Sequence, residues 1–360
     1  DLVGDPPVPA RRDGCGSRYA PVRGCDSRGG DSVSVAATGP TRSTTLWSMA
    51  QALGLLLTVA LLAALVVWPQ ASLSLLWYAI IPVLPASFLV STQIWRNVCP
   101  LSTLGVLTGD RVGTRRLQAD WVAPAGGVGI LLLAVMVPAR RFLFNENGLV
   151  LAVTIAVVAV LALLGGFFFD KKGGFCNALC PVLPVERLYG QRPLVKISNP
   201  RCQPCTTCTR MACLDLMPTK SAHRMLGEWH TSTRWVTTLY GAFALAFPGF
   251  VAAYYLTPDG PMSTAVSVYG IMLLWSVGSW FVLASIFALS GMKSSQALLV
   301  CAGLAVGLYY WFAPPGIADA FGFPGSVMWS LRVISLSFVL VWFMRGWSSD
   351  GRPRAAGRAS

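Results

Sequence analysis

The chain has 360 residues, of which 54% are hydrophobic and only 12% are charged. So few charged side chains cannot cover a soluble globule of this size, and a mean hydropathy of +0.59 favours an integral membrane protein. A net charge of +13 would suit a nucleic-acid binder, but the basic residues lie between apolar segments, where orientation signals belong. We therefore expect membrane lipid, and no nucleic acid, as a partner.

The first 45 residues are rich in Gly, Arg, Asp, Pro and Ser and contain almost no large apolar side chain. This composition predicts a disordered N-terminal tail, residues 1–45. It contains no apolar core of a signal peptide, and because it lacks an initial Met we interpret it as a fragment or an overlong reading frame. Its two thiols, Cys15 and Cys25, have no metal-binding spacing and are interpreted as incidental.

About eight apolar segments are long enough to cross a membrane as helices, and Trp or Tyr lies near many of their ends, as at membrane interfaces. Pro82 and Pro85 predict a kink in the second segment. The predicted spans are Leu46–Trp68, Ala71–Val90, Trp121–Val137, Leu149–Phe169, Trp235–Leu256, Thr264–Ser290, Gln296–Ala313 and Ser326–Trp347.

The spans divide the chain into regions. We expect a first four-helix membrane half at 46–169 with a Cys-Pro loop at 91–120. An iron–sulfur segment at 170–234 follows, then a second four-helix half at 235–347 and a basic C-terminal tail at 348–360.

Nearly all Lys and Arg residues lie on one side of these spans. The exceptions are Arg140 and Arg141 on the other side and Arg332 inside the last span. The positive-inside rule then predicts both termini and the 170–234 segment in the cytoplasm. Arg332 is interpreted either as a ligand of a quinone headgroup or lipid phosphate, or as a side chain that reaches the interface.

Cysteines are concentrated in the 170–234 segment, in two motifs. Three Cys at C-x2-C-x2-C spacing can hold three irons of a [4Fe–4S] cluster, and a remote Cys-Pro cysteine can supply the fourth thiolate. Structural zinc is the alternative for four thiolates, whereas disulfides are disfavoured in the cytoplasm. The motifs are F-Cys176-N-A-L-Cys180-P and R-Cys202-Q-P-Cys205-T-T-Cys208-T-R-M-A-Cys213.

A second Cys-Pro pair, Cys99-Pro100, follows the second span as Cys180-Pro181 follows the fourth. Trp95 stands where the first cysteine of this copy would be, so we interpret the pair as a degenerate internal repeat and Cys99 as a seventh candidate ligand. Seven thiolates supply one [4Fe–4S] cluster, and a second cluster would need another ligand. The role of Cys213, which follows Cys208 after four residues with no Pro behind it, stays open.

These motifs resemble the membrane polyferredoxin family of NapH-, NosR- and CcoG-type electron-transfer proteins, over residues 46–215. The stretch Phe175-Cys-Asn-Ala-Leu-Cys-Pro181 fits the family's C-x3-C-P motif closely, while Trp95-Arg-Asn-Val-Cys-Pro100 fits only its second half. The single-run FesM-type membrane iron–sulfur proteins look nearest. The resemblance implies one-electron transfer near the quinone pool, with quinone as a further bound molecule, in the bacterial cytoplasmic membrane.

The expected fold class is thus an all-α integral membrane protein with about eight transmembrane helices and a small cytoplasmic ferredoxin-like iron–sulfur segment. The leading hypothesis is an electron-transfer component, not a stand-alone enzyme, working with a ferredoxin, a flavodoxin or a membrane oxidoreductase subunit. The basic inside loops would steer an acidic soluble donor. Alternatives are an assembly factor that reduces a metal or cofactor for another enzyme, and a transporter with a regulatory metal domain.

Overall fold

A computed structural model describes residues 42–109, 112, 119–169, 174–195 and 233–350. Throughout these ranges the regular structure is helical and no β-strand occurs. The expected disordered tail, apart from its last residues, lies outside the described part of the chain. Four candidate ligands also lie outside it: Cys202, Cys205, Cys208 and Cys213.

In the described residues up to 195 the chain forms eight helices, two of which continue into a π-helical turn. Helix α2 passes through the turn Leu76–Ile80 into α3, and α5 continues into the turn Arg140–Phe144. The helices are α1 Arg42–Val67, α2 Pro69–Leu75, α3 Ile81–Val98, α4 Pro100–Gly109, α5 Ala119–Ala139, α6 Gly148–Phe168, α7 Phe175–Ala178 and α8 Leu183–Tyr189.

The second half forms four long helices, with short 3-10 turns at Thr233–Thr237 and Met262–Thr264. The helices are α9 Leu239–Leu256, α10 Ala265–Ser290, α11 Ser294–Phe321 and α12 Gly325–Asp350. Helices α10 and α11 end at Gly291 (φ +62°) and Gly322 (φ +65°), because a left-handed residue that closes a helix carries no steric cost when it is glycine.

Eight helical segments of the described chain are long and apolar enough to cross a membrane, which confirms the predicted number. Two of them extend well past their predicted C-terminal ends. The third continues to Phe144 and the seventh to Phe321, past Pro138 and Pro314–Pro315. An unpaired backbone N–H or C=O group is very costly in lipid. A transmembrane helix therefore continues past a proline when neighbouring groups satisfy the backbone atoms that the proline leaves unpaired. The segments are 45–67, 69–92, 124–144, 148–168, 239–256, 262–290, 294–321 and 325–348.

The second span is irregular on both sides of its prolines. The π-helical turn Leu76–Ile80 precedes Pro82 and Pro85, and Ser91 beyond them has extended backbone angles (φ −167°, ψ 119°) at a kink. The Tyr310 hydroxyl on α11 donates to the Pro82 carbonyl oxygen at 2.8 Å. The expected kink is present, but it lies at Ser91 and not at the prolines themselves.

Helices α9 and α11 form the centre of the bundle. In their apolar stretches 67% and 56% of the residues are buried, against 11% in α1, α10 and α12. Helix α9 packs against α10 and α11, and α12 packs against α11. The core around them includes the completely buried side chains of Leu245, Leu298 and Trp342. Cys301 is also completely buried there, consistent with a packing role.

Successive spans run in alternate directions, so the connections fall at two ends of the bundle. We name the end that carries Cys99, Cys176 and Cys180 the cysteine end. The opposite end carries Arg140 and Arg141 and is named the arginine end.

Candidate functional site

The first Cys-Pro pair forms a sharp junction between two helices. Cys99 ends α3 with non-helical angles (φ −55°, ψ 122°), and Pro100 begins α4, where its missing N–H costs nothing. The Cys99 N–H still donates to the Trp95 carbonyl at 2.7 Å, and the Cys99 carbonyl accepts from the Thr103 N–H at 3.0 Å. The thiol therefore projects from a backbone position that both helices hold in place.

The second Cys-Pro motif forms one helical turn that ends between its two cysteines. Cys176 lies in α7, and the N–H groups of Leu179 and Cys180 both donate to the Phe175 carbonyl, at 2.9 and 3.0 Å. The Cys180 carbonyl accepts from the Leu183 N–H at 3.2 Å. The motif is therefore helical only in its first turn.

The structure brings cysteines of the two motifs together. Cys176 is buried against Ala162 and Leu183, and Cys180 packs against the same apolar cluster. Burial, and to a smaller extent the nearby Cys99 thiol, raise the pKa of the Cys180 thiol to about 12. Cys99 and Cys180 thus share one environment, as the internal repeat in the sequence suggested.

This environment suits thiols that bind a metal more than thiols that react. A thiolate among apolar side chains is unfavourable on its own, so a buried cysteine is inert as a nucleophile. A bound metal ion deprotonates the thiol and compensates its charge. Within the described residues no three His, Cys, Asp or Glu side chains are grouped to hold a metal ion, and the C-x2-C-x2-C motif lies outside them.

A buried ion pair joins the two Cys-Pro motifs. The Arg96 Nε on α3 donates to the Glu186 Oε1 on α8, and the two side chains are 2% and 5% exposed. Arg96 precedes Cys99 by three residues, and Glu186 follows Cys180 by six. The sequence alone does not predict this ion pair, because Arg96 appears there only as an orientation signal. Its one local sign is an Arg or Glu close to each Cys-Pro pair.

A second buried guanidinium, that of Arg187, lies near the same thiol. Its burial lowers its pKa, which the nearby hydroxyl of Tyr240 partly offsets. Its Nε atom has no hydrogen-bond partner within the described part of the chain. Arg187 and Glu186 both lie close to the Cys180 thiol. The Glu186 carboxylate is itself paired with Arg96.

Glycines allow the helices that carry the cysteines to pack backbone to backbone. A Cβ atom at Gly166 on α6 would lie 1.9 Å from the Thr108 Oγ1 and 2.4 Å from the Gly105 carbonyl oxygen on α4. A Cβ atom at Gly174, before α7, would lie 2.5 Å from the Gly165 carbonyl oxygen. The cysteine end therefore tolerates no side chain at these contacts.

Comparison with known protein families, characterised proteins and solved structures finds no match to this chain. The geometry of the described residues and the motifs of the sequence therefore carry the functional argument.

The intramembrane Arg332 contacts two tryptophans. Its side chain is half-buried on α12, its Nε donates to the Trp311 carbonyl at 3.0 Å, and its guanidinium lies 4.5 and 4.6 Å from the centres of the Trp311 and Trp329 rings. These contacts agree with the interpretation of a side chain at the interface. The two histidines of the sequence, His223 and His230, lie outside the described residues.

Proposed function

We propose that the protein is a membrane-bound iron–sulfur electron-transfer protein. The observation that carries the proposal is the run Cys202-x2-Cys205-x2-Cys208, following a motif whose Cys180 lies beside the remote Cys99. A [4Fe–4S] cluster bound by these thiolates accepts and donates one electron at a time. Cys202, Cys205 and Cys208 would hold three irons. The fourth thiolate would come from one of the remaining candidates, Cys99, Cys176, Cys180 or Cys213.

The surroundings of Cys180 support this proposal. A cluster bound by four thiolates is anionic, and net charge and hydrogen bonds to sulfur are among the factors that set its reduction potential. The positive charge of Arg187 would partly stabilise such an anion close to the membrane, since the Glu186 carboxylate is already paired with Arg96. The glycine contacts between α4, α6 and α7 would limit movement of the ligands.

We further propose that the cysteine end faces the cytoplasm of a bacterial cell, because nearly all Lys and Arg residues outside the spans lie on that side. There the cluster would exchange single electrons with a ferredoxin, a flavodoxin, a membrane oxidoreductase subunit or the quinone pool.

Metal analysis of the purified protein tests the assignment. We expect about four iron and four acid-labile sulfide per chain for one cubane, with an EPR signal that appears after reduction by dithionite. The variant Cys205→Ser should lose this signal and most of the iron while it remains inserted in the membrane.

Cys301→Ser is the matched control, because Cys301 is a packing residue in the core, and its iron content should equal that of the wild type. Unchanged iron in Cys205→Ser, or zinc without sulfide in the wild type, would contradict the proposal.

A further inference from the structure

A buried guanidinium occupies the arginine end of the bundle. Arg140 lies in the π-helical turn after α5 and is only 6% exposed. Its guanidinium carbon lies 4.8 Å from the centre of the Trp77 ring, 5.3 Å from that of Tyr78 and 5.7 Å from that of Tyr254. One of its Nη atoms donates to the Tyr254 hydroxyl. Three aromatic rings thus fix the position of this positive charge.

The charge of Arg140 has no carboxylate in contact with it among the described residues. Asp259 is committed elsewhere: it accepts from the Arg141 Nη1 at 2.7 Å and from the Asn145 Nδ2 at 2.6 Å. The Arg140 Nε atom is buried and has no hydrogen-bond partner in this part of the chain. Buried charges in proteins are normally paired and hydrogen-bonded, because burying them otherwise is costly.

Two cavities meet at Arg140. The outer cavity has a volume of 200 Å³ and is lined by polar and aromatic groups, among them Tyr78, Arg141 and Gly316. The inner cavity has a volume of 350 Å³ and an almost entirely apolar wall that runs from Arg140 to Pro181 at the cysteine end. Both cavities are lined by Arg140, Trp77 and Tyr255, and no Asp or Glu lines either of them.

We propose that these cavities bind a single-chain amphiphilic carboxylate, of the fatty-acid class, with its carboxylate on Arg140 and its chain in the inner cavity. The proposal concerns a site at the opposite end of the bundle from the cysteines and does not depend on a cluster.

The head group follows from charge and geometry. Arg140 interacts with the Asp259 carboxylate only at a distance, so an anion in the cavity would supply a counter-charge in direct contact, and a carboxylate is a suitable acceptor for guanidinium N–H groups. One Nη atom is bonded to Tyr254 and Nε is buried, so the second Nη atom is the one left for such a contact. The aromatic rings do not compete for it, because they lie against the guanidinium as cation–π partners.

The tail follows from the inner cavity. Its volume is near the lower end of the range for ligand sites, about 300–1,000 Å³, and its wall is built from residues such as Leu84, Phe88 and Val251. A cavity of this size suits one slim apolar chain. Because the wall of the inner cavity carries no charged side chain besides Arg140, the ligand needs a polar group at one end only.

Photolabelling tests the site. The wild-type chain in nanodiscs of neutral phosphatidylcholine is irradiated with a fatty acid that carries a diazirine in mid-chain, and labelled peptides are mapped. We expect label on the peptides that contain Phe88, Phe247 or Tyr309, and we expect oleate to compete for it. Acetate and inorganic phosphate, which carry a head group but no chain, should not compete at equal concentration.

Arg140→Gln removes the charge but keeps a polar side chain. Because a hydrogen bond to a charged group contributes about 1.5–3 kcal/mol, the concentration of oleate needed for half competition should rise about 10- to 100-fold. Gly316→Ala is a second variant that leaves the charge in place. Its Cβ would lie 2.9 Å from the Tyr78 ring, so it should weaken labelling by narrowing the outer cavity.

Arg332→Gln is the matched control, since Arg332 also lies in a span over tryptophan rings but lines neither cavity. It should leave labelling unchanged, and so should Cys205→Ser, which separates this site from the proposed cluster. Equal competition in Arg140→Gln and wild type would overturn the proposal. Competition by phosphate or acetate as strong as that by oleate would also overturn it, because it would indicate a site for soluble anions.

Discussion

The two ends of the bundle each bury an arginine, and they do so in different ways. At the cysteine end Arg96 forms an ion pair with the buried carboxylate of Glu186, between helices that pack closely at glycines. At the arginine end Arg140 is held by aromatic rings and one hydroxyl, beside two cavities. A buried charge with a protein counter-ion in contact is compensated within the fold, whereas one without such a contact, next to a cavity, leaves room for a ligand.

The largest difference between the ends should appear when a counter-ion is removed. Glu186→Gln leaves the Arg96 charge buried without a carboxylate, and breaking such a pair from one side costs about 3–5 kcal/mol of stability. Arg140→Gln removes a charge that has no carboxylate partner in the described chain, so it should cost far less. Thermal unfolding in detergent measures both variants.

The double variant Arg96→Met/Glu186→Leu provides the control, because replacing both partners by apolar residues is often neutral or stabilising. It should recover most of the stability that Glu186→Gln loses. A loss in Arg140→Gln as large as that in Glu186→Gln would contradict the distinction between the two ends.

A smaller effect should come from the packing of the cysteine end. Gly166→Ala places a Cβ against the Thr108 hydroxyl and the Gly105 backbone, and overpacking of this kind typically costs about 1–3 kcal/mol. Gly278→Ala on α10 is the matched control, because a Cβ there meets nothing within 4 Å. The control should be neutral or slightly stabilising, as alanine favours a helix over glycine. Equal melting temperatures of the two variants would refute the packing argument.

The smallest effect should follow from Tyr254→Phe at the arginine end. The variant deletes the hydroxyl that accepts from Arg140 but keeps the ring and the backbone carbonyl that accepts from Arg141 at 2.6 and 3.0 Å. The loss of one such acceptor should lower stability by about 1–3 kcal/mol, toward the lower limit, since the ring still contacts the guanidinium. Thermal unfolding of Tyr254→Phe and Glu186→Gln, measured side by side, tests whether Glu186→Gln loses more stability than Tyr254→Phe.

Local properties of the sequence predicted the fold well. The eight spans are predictable because the length of an apolar segment depends only on neighbouring residues. The similarity of Cys99-Pro100 and Cys180-Pro181 is also visible in the sequence as a repeat. The end of the third span was predicted too early, at Val137, because Arg140 and Arg141 suggested a loop. Arg140 can remain in the helix since rings from other segments, Trp77 and Tyr254, surround it.

Contacts between distant residues were not predictable. Arg96 and Glu186 are 90 positions apart, and neither shows in the sequence that it will be buried. The same holds for the cavities at Arg140, whose walls come from five of the spans. The spacing of cysteines predicts which metal ligands a segment offers. The pairing of buried charges depends instead on how the helices pack.

The inner cavity has a consequence for communication across the membrane. Pro181 and Val182, which directly follow Cys180, form part of the wall whose other limit is Arg140. If a ligand binds one state of Cys180 more tightly than another, its binding must shift the equilibrium between those states by the same factor. A ligand at the proposed site would therefore contact the same cavity wall as the two residues that follow Cys180.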